Sequence, residues 1–194
     1  VGGSLEEYIG EERLEECIRQ VDEIYLRFGA PATLYGAAHE EEIRSLEQRA
    51  LQAEMKLVPI PIRHMGTGRC REILKEMRDY LLARGVEIRT CCPVVEFLVD
   101  RRGVAGVRTA DEEIRGRFVV VAPGREGASW LVREAARLGL ETTINPVDIG
   151  VRVELPAVTM DHLTRICYES KFIYYSKTFN DKVRTFCMNP YGEV

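Results

Sequence analysis

Residues Phe118-Val-Val-Val-Ala122 form an unbroken apolar run that ends in Pro123-Gly124; a helix-patterned stretch from about 127 to 138 follows, and Gly139 closes it. A short run rich in β-branched residues predicts a strand buried on both faces, and strands of that kind belong to parallel sheets covered by helices. A buried strand feeding a glycine turn and a helix start also predicts where a ligand goes, because backbone N–H groups and the helix dipole converge there. These features restrict the fold to the α/β class.

The rest of the chain supplies the layers. Leu14, Ile18, Val21, Tyr25 and Phe28 recur at spacings of 4, 3, 4 and 3, which predicts a helix closed by Gly29 and stopped by Pro31. A thinner stripe of Ile43, Leu46, Ala50 and Leu51 predicts a second helix over 39 to about 54, lying on the surface. Two prolines in Leu57-Val-Pro-Ile-Pro-Ile62 forbid helix and predict an edge strand or connector. Thr67 is placed to cap a helix whose inner face is Cys70, Leu74, Met77 and Leu81, ended by Gly85. Three β runs follow at 86–91, 94–99 and 104–108, the last two joined as a hairpin through Asp100-Arg-Arg-Gly103. Further strands are predicted at 149–155, 171–176 and 183–188, with a short helix near 160–165.

Charge narrows the partners. The chain has 27 basic and 31 acidic residues among 194, a net of −4, which disfavours a dominant nucleic-acid footprint. Residues 1–60 hold 13 acids and 6 bases, net −7, whereas 61–194 hold 18 and 21, net +3, so an anionic ligand is expected in the later part. No apolar stretch approaches the roughly 18 residues of a membrane helix, and none resembles a signal peptide. Cysteines 17, 70, 91, 92, 167 and 187 include no CxxC and no metal-ligand spacing, so reduced thiols, a cytoplasmic location and no metal site are expected.

Individual motifs are weak. Ala122-Pro-Gly124-Arg-Glu-Gly127 lacks the first glycine of GxGxxG and follows a β-meander rather than opening a βαβ unit, so it is not the primary pyrophosphate loop. Gly66-Thr-Gly68 has Arg71 at the third glycine position, and Gly127-Ala-Ser129 has Leu131 where a nucleophile elbow needs glycine. His39, His64 and His162 stand far apart and read as structural or surface residues. Bases and aromatics interleave over 165–186, as in a stacking face for single strands, or as in an antiparallel sheet with aromatics inward.

The order from Thr67 to Gly124 carries more than its parts: a helix ended at Gly85, then Val86-Glu-Ile-Arg, Pro93-Val94-Val95, a hairpin with Gly103-Val-Ala-Gly-Val107, and the apolar run into Gly124. It resembles the middle of the FAD-binding domain in flavoproteins with two dinucleotide-binding domains. It is most similar to a largely uncharacterised group of bacterial FAD-dependent dehydrogenases, through Val1-Gly2-Gly3, Glu7-Tyr8-Ile9, His64-Met-Gly-Thr67, Gly124-Arg-x-Gly127, Trp130-Leu131, Asp148-Ile-Gly-Val-Arg-Val-Glu154 and Arg184-Thr-Phe-Cys-Met-Asn-Pro-Tyr-Gly192. In such proteins the strand near Val94 meets adenine through its backbone, and the buried strand ends in an Ala-Thr-Gly-like turn; here the middle position is Pro123.

The resemblance implies an α/β chain with a helical segment at 1–56, the central part of an FAD-binding domain at 57–147, and the start of a second, substrate-type α+β domain at 148–194. It implies an FAD-dependent oxidoreductase as the parent, with Val94, Ala122, Pro123, Gly124 and Arg125 contributing part of the adenosine site. An N-terminal GxGxxG and a C-terminal Gly-Asp flavin motif, which this sequence lacks, would lie before Val1 and after Val194, so the fragment alone is expected to hold FAD weakly and to be inactive. NAD(P)H or another electron partner and an unidentified small-molecule substrate follow from the same resemblance. The alternative is a cofactor-free α/β ligand- or nucleic-acid-interaction domain using the 165–186 face.

Overall fold

The structure, a computed structural model, describes residues 5–144 and 147–192, so the Val1-Gly2-Gly3 element lies outside the described residues. Those residues form a mixed α/β protein with six α-helices and two three-stranded sheets, both antiparallel. The chain divides into two compact units at Val86/Glu87 and Arg152/Val153.

In the first unit, α1 (Glu6–Ile9) leads into α2 (Glu11–Arg27), the helix with the 4-3-4-3 spacing, which buries Leu14 and leaves Val21 and Ile24 about half exposed. The next helix, α3 (Glu40–Gln52), was expected on the surface and instead supplies the core. Ile43, Leu46 and Ala50 cluster with Leu57 and Cys167, and Met55, Leu163, Ile166 and Phe172 pack around them. A stripe only one residue wide suffices because Ile43, Leu46 and Ala50 fall on one line of the helix. Strand β1 (Lys56–Val58) pairs antiparallel with β5 (Lys171–Tyr175), and β5 pairs with β6 (Lys182–Arg184), so the proline-flanked segment is the edge strand its prolines require. Helix α4 (Thr67–Leu82) buries Ile73, and α6 (Ala157–Cys167) brings Thr164 and Cys167 inward. The expected segments 1–56, 57–147 and 148–194 are stretches of chain; in space β1 takes its partner from β5, so the parts before residue 87 and after residue 152 share one unit.

One polar tie fixes the path between α2 and the proline segment. Arg63 makes a two-pronged contact with Asp22, from Nε to Oδ1 at 2.6 Å and from Nη2 to Oδ2 at 2.7 Å, and donates from Nη1 to the Pro31 carbonyl at 2.6 Å. The Arg63 side chain is mostly covered, and its guanidinium holds the Asp22 carboxyl below the ordinary carboxylate range. Arg63→Ala is expected to cost about 2 kcal/mol in urea unfolding, and Arg63→Lys to recover little of it, because an ammonium cannot reproduce the fork.

The second unit is a meander: β2 (Glu96–Asp100), β3 (Gly103–Arg108) and β4 (Glu113–Arg115) in sequential order, with α5 (Ala128–Arg137) following. The expected hairpin closes at Asp100 opposite Gly103, with a register shift between Leu98 and Val99. Phe97, Leu98 and Ala135 are its buried apolar residues.

The structure corrects the expectation of a buried parallel strand at 118–122. Among the described residues this segment joins no ladder, and Phe118 and Val120 are 79% and 92% exposed. The segments 86–91 and 149–155 are likewise unpaired, with Ile149 and Val151 exposed. The physical reason is pairing: a strand buried on both faces needs a hydrogen-bonding neighbour and covering layers, and the described sheets provide none for it. No helix among the described residues is long and apolar enough to cross a membrane.

Candidate functional site

The candidate cofactor residues all fall in the second unit. After the apolar segment, residues 124–127 form a turn in which Gly124 has φ +62°. The Gly127 N–H donates to the Pro123 carbonyl at 3.3 Å and the Ala128 N–H to the Arg125 carbonyl at 3.3 Å. Gly127 is required by packing, since a Cβ there would lie 2.4 Å from the Pro123 Cβ. Around Gly124 the situation is opposite: nothing lies within 4 Å of where a Cβ would stand. Ala122, Gly124 and Arg125 are exposed and Pro123 is half-buried. Arg125 makes no ion pair among the described residues, and the α5 start, with Gly127 at its cap, has no side-chain cap.

Val94, half-buried, lies just before β2. The next residue is fully engaged: the Val95 N–H donates to the Arg108 carbonyl at 2.8 Å, and the Val95 carbonyl accepts from Trp130 Nε1 at 2.8 Å. Trp130 sits in the first turn of α5, so the helix that begins at the glycine turn also clamps the strand end carrying Val94. The structure thereby brings the Val94 segment and the 122–125 turn into one unit through a single indole.

Farther along α5, Glu134 and Arg137 continue the clamp. Glu134 Oε2 accepts from the Phe97 N–H at 2.8 Å, and Arg137 Nη2 donates to the Phe97 carbonyl at 2.8 Å. Arg137 also grips Glu134 through Nε to Oε1 at 2.9 Å and Nη2 to Oε2 at 2.7 Å. The guanidinium is the main cause that holds the buried Glu134 carboxyl below its ordinary value; burial opposes it, and the Phe97 N–H adds to it. The side chains at 130, 134 and 137 therefore satisfy backbone groups that an edge strand leaves open.

Elsewhere the polar residues are mostly structural. Cys167 is buried and its thiol is pushed up by burial; all six cysteines are free, and no metal-binding cluster occurs among the described residues. In the 165–186 region Phe172 packs on the core, whereas Phe179 and Phe186 point outward and Lys177 is paired with Glu54 at 2.5 Å. Sequence reasoning missed one pair. His64 and Tyr168, 104 positions apart, share a hydrogen bond of 2.8 Å between Nε2 and Oη and stack at 3.9 Å. Tyr168 has φ +52° and ψ −67°, a backbone conformation that a tyrosine adopts only under constraint, and no glycine signals it.

No protein-family model, no curated protein and no solved structure matches this chain.

Proposed function

We propose that the chain is the central portion of an FAD-dependent oxidoreductase, in which Val94 and the Ala122–Arg125 turn contribute part of the adenosine site. The observation that carries the reading is the segment at 118–122: apolar, mostly exposed, unpaired among the described residues, and leading directly into a positive-φ glycine and a helix start. What supports the reading is the order of elements around that segment, a β-meander before it and a glycine turn and helix after it, which is the order of the flavoprotein resemblance.

Local features of the chain support the reading. Open space at Gly124 allows a ligand to approach the backbone closely, and the uncapped start of α5 beside it leaves N–H donors for an anion. Val94 has no backbone hydrogen bond among the described residues, so its N–H and C=O are available to an adenine edge. Arg125, exposed and without an ion pair among the described residues, stands in the same turn, where it could meet a negative charge. The flavin, when bound, supplies the hydride or electron chemistry, and the chain supplies binding and orientation.

The test is the visible spectrum of the protein expressed with its native flanking sequence. A flavin band that survives desalting is expected, and Gly124→Val in that protein should loosen retention about tenfold by filling the open approach. A folded, colourless protein that takes up no added FAD overturns the reading.

A further inference from the structure

Two arginines in the first unit converge on one tyrosine without a carboxylate to neutralise them. Arg27, at the end of α2, has its guanidinium carbon 4.8 Å from the Tyr80 ring centroid and donates from Nη2 to Tyr80 Oη at 3.1 Å. Arg84, just past α4, lies 3.4 Å over the same ring and donates from Nη1 to the Tyr80 carbonyl at 3.2 Å. Phe28 meets Tyr80 edge-on at 5.2 Å and 81°, which fixes the ring that both cations share. Neither arginine forms an ion pair among the described residues, because the acids on adjoining turns are engaged elsewhere: Asp22 with Arg63, Glu23 with Arg19, Asp79 with Arg78.

The C-terminal ends of α2 and α4 explain why cations gather there, since the last carbonyls of a helix favour positive charge. They do not use up the donors. Each guanidinium has five N–H groups, and the contacts above occupy one apiece, so most of both forks faces outward from exposed side chains. Both guanidinium carbons lie close to one ring centroid, at 4.8 and 3.4 Å. An oxyanion held by both forks would accept charge-assisted N–H···O contacts of about 2.8 Å from each. Stacking on Tyr80 holds the forks in place in advance, which lowers the ordering cost of binding. Beyond Phe28 opens a depression of 370 Å³ lined also by Gly29, Arg69, Glu72, Lys75 and Glu76. Its two acids and two bases balance, so it offers room rather than net charge.

We propose that Arg27, Tyr80 and Arg84 form a binding site for the phosphate of a phosphate monoester, whose organic group lies over Phe28 in the adjoining depression. The site lies within the first unit and does not depend on the flavoprotein reading.

The experiment is calorimetric titration of the full chain with inorganic phosphate, phenyl phosphate and succinate. Saturable binding of both phosphates is expected, with phenyl phosphate the tighter. Arg27→Gln and Arg84→Gln should each weaken phosphate about tenfold, the usual scale for a charge-assisted contact, with unfolding midpoints unchanged since both side chains are exposed. Arg101→Gln, on the exposed β2–β3 turn, should leave affinity as it was. Absence of saturable phosphate binding overturns the proposal. So does an equal loss in Arg101→Gln, which would mean diffuse attraction to a basic surface, or succinate binding as tightly as phosphate.

Discussion

Glu134→Ala is expected to lower stability by about 3 kcal/mol, more than loss of an exposed ion pair would, because it strands a buried backbone donor. Glu134 is 5% exposed, and its Oε2 is the acceptor for the Phe97 N–H. Alanine leaves that N–H without a partner, removes the anchor of Arg137, and opens a gap between α5 and β2. Glu134→Gln should cost less, since its amide oxygen can still accept from Phe97, although its NH2 then opposes the Arg137 donors. Urea unfolding read by circular dichroism checks the order, with midpoints falling at an unchanged slope. The acid limb checks the cause. Because the folded-state pKa of Glu134 is depressed, its contribution is complete above the ordinary glutamate range and disappears as pH falls through the lower, folded-state value. Stability should therefore drop in that acid window in the parent chain and drop less steeply in Glu134→Gln. Equal unfolding midpoints for Glu134→Ala and the parent would show that α5 does not hold the β2 edge.

The elements that depend on local rules were legible in the sequence. The 4-3-4-3 spacing of α2, the Asp100–Gly103 turn and the helix after Gly127 need only nearby residues, and each forms close to where its pattern places it. The run at 118–122 is different in kind. Its composition records a preference for burial between neighbours, but neighbours are a tertiary property, and among the described residues it has none. The thin stripe of α3 misled in the opposite direction, since burial depends on what packs against a helix as well as on the width of its apolar face. At the candidate site, the positive φ of Gly124 follows from its position after Pro123 and before a helix. The Trp130–Val95 and Glu134–Phe97 bonds do not, because they join side chains to backbone groups 35 and 37 positions away, and backbone groups leave no mark in a sequence. The His64–Tyr168 pair is hidden for the same reason of distance.

Gly106 is where the meander should be most sensitive to a single methyl group. It sits in β3, opposite Leu98 on one side and Arg115 on the other, with φ +155°. A Cβ at this position would lie 2.2 Å from the Ile114 carbonyl oxygen and 2.8 Å from the Arg115 Cα, so the obstruction is backbone and no rotamer change relieves it. Gly106→Ala must therefore push β4 off β3, at an expected cost of about 3 kcal/mol. Gly103→Ala is the control: it too has positive φ, +116°, but nothing lies within 4 Å of its Cβ position, so only backbone strain remains, about 1 kcal/mol. Hydrogen exchange separates the two. In Gly106→Ala the amides of Val107 and Arg108 should lose protection well before global unfolding, whereas in Gly103→Ala they should open with the rest of the unit. The damage should also reach the candidate site, because the Arg108 carbonyl holds the Val95 N–H at 2.8 Å and Val95 in turn receives Trp130. If Gly106→Ala and Gly103→Ala destabilise equally, the close approach of β4 is not what requires glycine at 106, and the β3–β4 ladder is not what keeps the Val94 segment in place.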